Sequence, residues 1–354
     1  MSNSPIRYGV AGLGRSGWNI HVANIRPRDD AELAAVVDPL QQRRQEAKAE
    51  FGCETYEELS HMLDQEDIDV IVVATPSAFH ASDTISALKA SKHVICEKPM
   101  ALDVEEADQM IAQAKESNKH LFIHQNRRFD RQFTHLKTVV ESGQIGQLYH
   151  IRNYSNSFTR RDDWQTLSKN GGGVLNNTCP HHLDAILQLL GAPVTNVMGD
   201  LQQISSAGDV EDHAKAFLRA SNGCTADMEI TSAQNIAADM PSWILCGSQG
   251  TLTSDGKKTV VRWFESEEAG EVEVVEGAAR NRAYAWQAKP LEWKEETVEA
   301  KGPNIGNFYD NVTKVLWHDH EMVVTPESVR EVIRVIAEIR KGTKFDREAK
   351  KALI

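Results

Sequence analysis

Three glycines near the start of the chain have the spacing of a turn that binds a dinucleotide. They form the pattern G-x-G-x-x-G directly after an apolar run and ahead of a helix-length segment. In that context the glycines permit a tight turn, close approach of a pyrophosphate, and close packing of helix on strand. The helix N-terminus that follows offers free N–H groups to phosphate. We therefore predict a cofactor-binding turn made of Gly12, Leu13, Gly14, Arg15, Ser16 and Gly17.

An acidic residue, Asp38, ends the second apolar run, 21 residues after Gly17. A carboxylate at this position accepts hydrogen bonds from the adenosine ribose and repels a 2′-phosphate. Asp38 therefore predicts a preference for NAD over NADP, although the nearby Arg43 and Arg44 leave NADP open. The alternative is a solvated residue at the end of a strand.

Two further segments lie where apolar runs end. Lys98 follows the run His93–Cys96, and Thr75-Pro76 ends the run Val70–Ala74. Ligands of open α/β sheets collect at the carboxyl ends of the strands. An ammonium group there can donate a hydrogen bond to a substrate oxygen. A surface lysine is the other interpretation, and spacing alone does not choose between them.

A helix predicted around Pro180–Leu190 places His181 and Asp184 on one face. His181 is either a general base or a buried, hydrogen-bonded histidine. Asp184 either orients the imidazole or lies on the helix surface. Because proline prefers the first helical turn, Asn177 is either a helix cap or a substrate contact.

Two weaker signals are an aromatic residue, Trp164, and a pair of histidines, His318 and His320. Trp164 follows a charged segment and either stacks on a sugar ring or anchors a loop on the core. His318-x-His320 has the spacing of metal ligands, but no fourth ligand lies nearby in the sequence. We therefore predict no metal site.

The first third of the chain alternates between apolar runs and helix-length segments, which predicts a parallel sheet covered on both faces. Beyond about residue 145, strands follow one another, which indicates an antiparallel sheet with helices on one face. The predicted strands are 6–11, 33–37, 70–74, 93–96, 121–123, 148–157, 194–204, 214–220, 225–231, 243–246 and 260–264. The predicted helices are 39–50, 78–90, 104–117, 180–190, 307–317 and 327–340, and Asp103 is the predicted N-cap of the third.

Composition limits the class of protein. The 354 residues include 39 basic and 51 acidic side chains, giving a net charge of −12 that disfavours nucleic acid and anionic membranes as partners. No apolar run approaches the ~20 residues that span a bilayer. The five cysteines are scattered, without C-x-x-C, as is typical of a reducing compartment. We expect a cytoplasmic, two-domain protein.

The motifs together resemble those of the Gfo/Idh/MocA oxidoreductases, which include glucose–fructose oxidoreductase and inositol dehydrogenases. The resemblance covers nearly the whole chain, and Glu-Lys-Pro is its most diagnostic tripeptide. It rests on the glycine turn, Thr75-Pro76 with His80, Glu97-Lys98-Pro99, Asn126-Arg127-Arg128-Phe129, and Gly171-Gly172-Gly173 followed by His181 and Asp184.

The resemblance implies a Rossmann domain over 1–124, with a doubly wound parallel sheet, and a substrate-binding domain over 125–354. The second domain would be an α+β domain with an open, mostly antiparallel sheet that often forms oligomer contacts. A homodimer or homotetramer is therefore expected. The C-terminal helix can pack back on the Rossmann domain.

The implied activity is NAD(P)-dependent oxidation or reduction at a carbinol carbon of a sugar, an inositol-like polyol or a sugar derivative. Two alternatives are a glycoside-cleaving enzyme that oxidises its substrate transiently and retains NAD, and a non-catalytic, dinucleotide-binding regulator. Substrate specificity is expected in the loops 155–170, 232–242 and 276–295.

The resemblance also implies roles for individual residues. The catalytic lysine corresponds to Lys98, and the family's Asp-x-x-x-His corresponds to Asn177 and His181, so that the aspartate is replaced by asparagine. Some members that oxidise sugars are similar in carrying asparagine there. The expected cofactor contacts beyond the turn and Asp38 are Thr75, Pro76, His80, Glu97 and Lys98. The expected substrate contacts are Lys98, Arg127, Trp164, Asn177 and His181.

Overall fold

The computed structural model describes residues 4–236, 240–271, 276–277, 290–299 and 306–346. Parts of two predicted specificity loops, 237–239 of the loop 232–242 and 278–289 of the loop 276–295, lie outside the described residues. Within the described part of the chain, no helix combines the length and the apolar composition that crossing a membrane requires.

The first sheet has six strands, all paired in parallel. They are β1 (Ile6–Ala11), β2 (Ala31–Val37), β3 (Glu54–Tyr56), β4 (Val70–Val73), β5 (His93–Cys96) and β6 (Leu121–Ile123). Their order is β3-β2-β1-β4-β5-β6, which is the order of dinucleotide-binding Rossmann folds. The predicted doubly wound parallel sheet is therefore confirmed. Its central strand β4 is wholly buried, as an apolar strand covered on both faces must be.

Helices connect these strands. They are α1 (Ala23–Ile25), which continues a π-helical segment Gly17–Val22, then α2 (Gln41–Phe51), α3 (Leu59–Leu63), α4 (His80–Lys89) and α5 (Val104–Glu116). The predicted cap of α5 is confirmed, because the Asp103 side chain accepts the N–H of Glu106 at 2.9 Å. The short β3 and α3 were not predicted.

The second sheet has eight strands. They are β7 (Leu148–Asn156), β8 (Val194–Gln202), β9 (His213–Ala220), β10 (Thr225–Thr231), β11 (Trp243–Gly247), β12 (Gly250–Ser254), β13 (Lys258–Trp263) and β14 (Lys294–Glu299). Their order is β14-β13-β12-β11-β7-β10-β9-β8. Only the pair β7–β10 is parallel among these pairings, so the predicted mostly antiparallel sheet is confirmed.

The remaining helices cover the second sheet and return to the first. They are α6 (Arg131–Glu141), α7 (Val174–Asn177), α8 (Cys179–Leu190), α9 (Ser266–Ala269), α10 (Gly306–His318) and α11 (Pro326–Arg340). Helix α11 packs on β8 and α8 and also on α5. Helix α10 contacts α1, and Phe308, Tyr309 and Val312 join the apolar core beneath the first sheet. Both C-terminal helices therefore contact the dinucleotide-binding unit.

Candidate active site

The glycine turn has the space that a dinucleotide requires. Gly12 has φ +92°, and a Cβ there would lie 2.6 Å from the carbonyl oxygen of Ala74. A Cβ on Gly17 would collide with the carbonyl oxygen of Gly12, so the helix packs directly on the turn. A Cβ on Gly14 would meet nothing within 4 Å. The turn thus leaves open space at the position where the backbone must approach a pyrophosphate, and NAD fits it.

Asp38 lies at the end of β2 and is 1% exposed, so its interpretation as a solvated residue is wrong. Its carboxylate accepts the N–H of Leu13 and the N–H of Leu40, each at 2.9 Å. The guanidinium of Arg43 lies 3.1 Å from the same oxygen that holds Leu13. Asp38 therefore fixes the glycine turn. Its contact with the ribose of the cofactor stays a prediction.

His80 braces two loops at the carboxyl edge of the sheet. Its Nδ1 lies 2.7 Å from the carbonyl oxygen of Pro99, and its Nε2 lies 2.9 Å from that of Thr75. Thr75 also donates its hydroxyl to Asp83 at 2.7 Å. Both ring nitrogens of His80 thus face carbonyl groups of the protein, and its contact with a cofactor stays a prediction. Pro76 is exposed at this edge.

Glu97 follows β5 and is 6% exposed, and its carboxylate has four hydrogen-bond donors from the protein. One oxygen accepts from the hydroxyl of Ser16, from Nε2 of His21 at 3.0 Å and from Nδ1 of His124 at 2.9 Å. The other oxygen accepts the backbone N–H of Lys98 at 3.0 Å. Its predicted role as a cofactor contact is thus accompanied by a structural role, because it ties the glycine turn to Lys98.

The ionised state of Glu97 is consistent with the tautomer of His21 in which the ring proton lies on Nε2. Burial alone would raise the pKa of Glu97, but attraction to His124 and hydrogen bonds from His124 and His21 hold that pKa well below its ordinary value. Burial lowers the pKa of His21. Nδ1 of His21 lies 2.6 Å from the hydroxyl of Tyr309, which donates to it when the ring carries its proton on Nε2. Ligand-type atoms of His21, Glu97 and His124 lie within 4.8 Å of one another, and these hydrogen bonds account for their grouping without an ion.

The Lys98 ammonium points from the first sheet toward the second. It donates to the backbone carbonyl of Asn177 at 2.8 Å and lies 3.4 Å from that residue's side-chain oxygen. Burial lowers the pKa of Lys98, Glu97 opposes this shift, and three guanidinium groups reinforce it, those of Arg127, Arg15 and Arg161. The interpretation of Lys98 as a surface lysine is therefore wrong.

Asn177 ends α7 and does not cap α8. The N-cap position of α8 belongs to Thr178, which makes no side-chain capping bond, so the capping interpretation of Asn177 is wrong. The side-chain oxygen of Asn177 accepts from Gln165 at 3.3 Å. Asn177 thus joins the loop that carries Trp164 to the ammonium of Lys98.

His181 occupies the first turn of α8, and its Nδ1 is buried without a hydrogen-bond partner in the described part of the chain. Burial, with the positive charges of Lys98 and Arg127 adding to it, lowers the pKa of His181 well below its ordinary value. The ring is therefore neutral at neutral pH and can accept a proton.

Neither alternative for Asp184 is correct, because it is 3% exposed and binds Arg128 through both oxygens, at 2.8 and 2.5 Å. Burial raises the pKa of Asp184, and the pairing with Arg128 opposes this shift.

Arg127 precedes Arg128 in the sequence, and its side chain makes no hydrogen bond or ion pair within the described ranges. A small cleft beside His181 is lined in part by Arg127, Asp130, Gln132, His182 and Trp243.

Trp164 begins a short helical turn, Trp164–Thr166, and its side chain is exposed. An exposed indole does not anchor the loop on the core, so that interpretation loses its support. Stacking of Trp164 on a sugar stays a prediction.

Sequence reasoning missed four residues of this site: Gln165, His21, His124 and Tyr309. His21 follows Gly17 by one helical turn, a spacing that places it under the glycine turn. No spacing connects it to His124 or Tyr309, which reach it only through the fold.

Comparison with known proteins agrees with this geometry. Residues 6–125 match the model of an oxidoreductase family with an NAD-binding Rossmann fold, and residues 133–253 match the C-terminal domain of the same family. The chain is similar to a myo-inositol 2-dehydrogenase of Thermotoga maritima, with 33% identity over 75% of this chain and 80% of the relative.

Two solved structures are also similar. One is an NAD-binding protein from Listeria innocua, with TM-score 0.82 and 28% identity over 98% of this chain and 99% of that one. The other is the WlbA dehydrogenase of Bordetella pertussis in complex with NADH and UDP-GlcNAcA, with TM-score 0.76 and 26% identity over 98% and 97% of the two chains. With both family domains matched in sequence and the fold matched throughout, the chain is an NAD-binding oxidoreductase of the Gfo/Idh/MocA family.

Proposed function

We propose that this protein transfers a hydride between NAD and a carbinol carbon of a cyclic sugar, an inositol-like polyol or a sugar derivative. The observation that carries the proposal is an ammonium group held beside Asn177 at the end of the first sheet, together with an imidazole whose buried Nδ1 has no partner in the described residues. The positive charge of Lys98 adds to burial in lowering the pKa of His181. The similarity to a myo-inositol 2-dehydrogenase supports this substrate class.

NAD, when bound, supplies the acceptor for the hydride. His181 takes the proton from the substrate hydroxyl, since its ring is neutral and its Nδ1 has no partner in the described residues. The ammonium of Lys98 donates a hydrogen bond to the same substrate oxygen and stabilises its developing negative charge. Before substrate binds, the carbonyl of Asn177 holds that ammonium in place.

Three other residues contact the substrate in this proposal. The side chain of Asn177 lies beside the Lys98 ammonium, where the family's aspartate is expected, and hydrogen-bonds a substrate hydroxyl. Arg127 lines the cleft beside His181 with its guanidinium unpaired in the described part of the chain. Trp164 stacks on the ring of the substrate from the exposed loop.

Replacing Lys98 tests the proposal. Lys98→Ala should abolish hydride transfer, because the oxygen of the substrate loses its donor, while NADH binding stays nearly intact. The measurement is absorbance of reduced nicotinamide with NAD or NADP and a panel of polyols, sugars, glycosides and sugar acids, alongside fluorescence titration with NADH. Arg131→Ala is the control, since Arg131 is an exposed cation outside the cleft. Equal turnover by Lys98→Ala and wild type contradicts the proposed role.

We also propose that the protein is a cytoplasmic homodimer or homotetramer. Its five cysteines are free thiols, as is usual in a reducing compartment. On the second sheet, Met198 of β8 pairs with Phe217 of β9, and both side chains are exposed. A second copy covering this face would bury them. Sedimentation velocity measures the assembly, and a monomer at micromolar concentration contradicts it.

A further inference from the structure

A chain of buried hydrogen bonds connects the C-terminal part of the protein to Lys98. The Tyr309 hydroxyl lies 2.6 Å from Nδ1 of His21, and Nε2 of His21 lies 3.0 Å from the carboxylate of Glu97. The second oxygen of that carboxylate holds the backbone N–H of Lys98. Tyr309 and His21 are fully buried, and the hydride-transfer chemistry uses neither.

We propose that Tyr309 and His21 are positioning residues which, through Glu97, keep the ammonium group of Lys98 charged and in place. The inference rests on the proposed role of Lys98 in hydride transfer. In this proposal a residue of α10, more than 200 positions later in the sequence, helps to position the lysine that follows β5.

The charges around Lys98 show why the relay is needed. Burial and three guanidinium groups disfavour the ammonium form, and Glu97 favours it. The titratable and charged groups that act on Lys98 or lie beside it are Glu97, Arg127, Arg15, Arg161 and His181. Ionised Glu97 therefore has to offset several cations and the loss of solvent.

Glu97 can stay ionised in the interior only while its donors are in place. The Tyr309 hydroxyl supports the tautomer of His21 that donates to Glu97, because a hydroxyl proton pointing at Nδ1 requires the ring proton on Nε2. Without that hydroxyl the buried Nδ1 loses its donor, and the imidazole ring that donates to Glu97 loses the contact that holds it in place. The charged and titratable groups near this end of the relay are His124, Arg28 and Tyr8, and burial raises the pKa of Tyr8, so that its hydroxyl stays uncharged.

The test is the titration of Lys98 itself, measured on the full chain without substrate. Acetylation of Lys98 by acetic anhydride, followed across pH by mass spectrometry of its peptide, reports the pKa of the ammonium group. Glu97→Gln should lower the midpoint by about one pH unit or more, since it removes the adjacent opposite charge. Tyr309→Phe should lower it in the same direction by about half a unit. Tyr8→Phe is the matched control.

Tyr8 is buried on β1 with its ring 6.0 Å from that of Tyr309, and its hydroxyl makes no bond to His21 in the described residues. Loss of this hydroxyl should leave the midpoint of Lys98 unchanged. His21→Leu gives a second route to the same result, because it removes the donor to Glu97 directly. In the His21→Leu background, Tyr309→Phe should cause no further shift.

Two results overturn the relay. The first is that Tyr309→Phe and His21→Leu have the same midpoint of Lys98 titration as the wild type. The second is that Tyr309→Phe shifts this midpoint equally in the presence and absence of His21, or that Tyr8→Phe causes the same shift. These outcomes do not depend on turnover, so a failure of Lys98→Ala to abolish hydride transfer refutes the proposed function separately.

Discussion

Asp38 fixes the glycine turn, and it is also the predicted contact of the cofactor's ribose. Asp38→Ala removes the acceptor that holds Leu13 in the turn and, if the prediction is correct, the charge that repels a 2′-phosphate. Binding of NADH should weaken about tenfold, with the loss of a charged hydrogen bond. Binding of NADPH should weaken less, because Arg43 loses its partner and becomes available to a phosphate. Fluorescence titration with both cofactors measures the change.

The control for this experiment is Arg43→Ala in the Asp38→Ala background. If Arg43 takes the phosphate, the double variant loses the relative gain for NADPH. An unchanged ratio of the two dissociation constants in Asp38→Ala would move the ribose contact to another residue.

At the residue scale, the sequence indicated candidate side chains by their position along an element. Lys98 and Asp38 follow apolar strands and His181 lies on an amphipathic helix, so local pattern makes each a candidate, whereas the catalytic roles of Lys98 and His181 are implied by the family resemblance and stay predictions. The partners of these residues could not be predicted, since hydrogen bonds such as Lys98 to Asn177 and Tyr309 to His21 join segments that only the tertiary fold brings together. The role of Asp184 could not be predicted from its position on α8, because that role depends on a buried ion pair with Arg128, which lies on another element.

At the scale of elements, the glycine turn after β1 predicts that alanine substitutions at Gly14 and Gly17 affect different properties, cofactor binding in one case and stability in the other. Gly14→Ala should preserve folding, since its Cβ would enter open space, yet weaken NADH binding because that space receives the pyrophosphate. Gly17→Ala should destabilise the protein, because its Cβ would meet the backbone oxygen of Gly12. Thermal unfolding and NADH titration on both variants separate these effects. Equal melting temperatures for the two variants contradict the packing argument.

The elements themselves were predicted well where burial dictates composition. The apolar strands β1, β4 and β5 lie within one residue of their predicted ends, as does helix α5. Strand β14 could not be found, because its sequence KEETVE is largely exposed at the edge of the second sheet and carries charges rather than an apolar pattern. Edge strands are commonly charged in this way.

For the whole molecule, buried histidines predict how stability depends on pH. Burial lowers the pKa of His182 to about 3 and that of His93 to about 4, and it also lowers those of His21 and His181. In the unfolded chain these groups titrate near ~6.5. As pH falls from about 6.5 toward 4, the unfolded state binds protons that the folded state does not, so the free energy of unfolding decreases.

Urea unfolding across this pH range tests the prediction. His182→Gln should reduce the slope of the free energy of unfolding by up to about 1.4 kcal/mol per pH unit, the contribution of one proton. His320→Gln is the matched control, since His320 is exposed and its replacement removes no buried imidazole. Parallel slopes for wild type and His182→Gln would show that His182 titrates normally in the folded protein.

The return of α10 to the first sheet has a consequence for the order in which the protein matures. A ribosome completes the glycine turn, Asp38 and Lys98 long before it reaches Tyr309. Until then the nascent first sheet lacks Phe308, Tyr309 and Val312, which complete the apolar cluster around β1 and α1. The segment that carries the glycine turn and Lys98 is therefore synthesised first and part of its buried surroundings last, so that a prematurely released chain carries the motif without the side chains that we propose position its lysine.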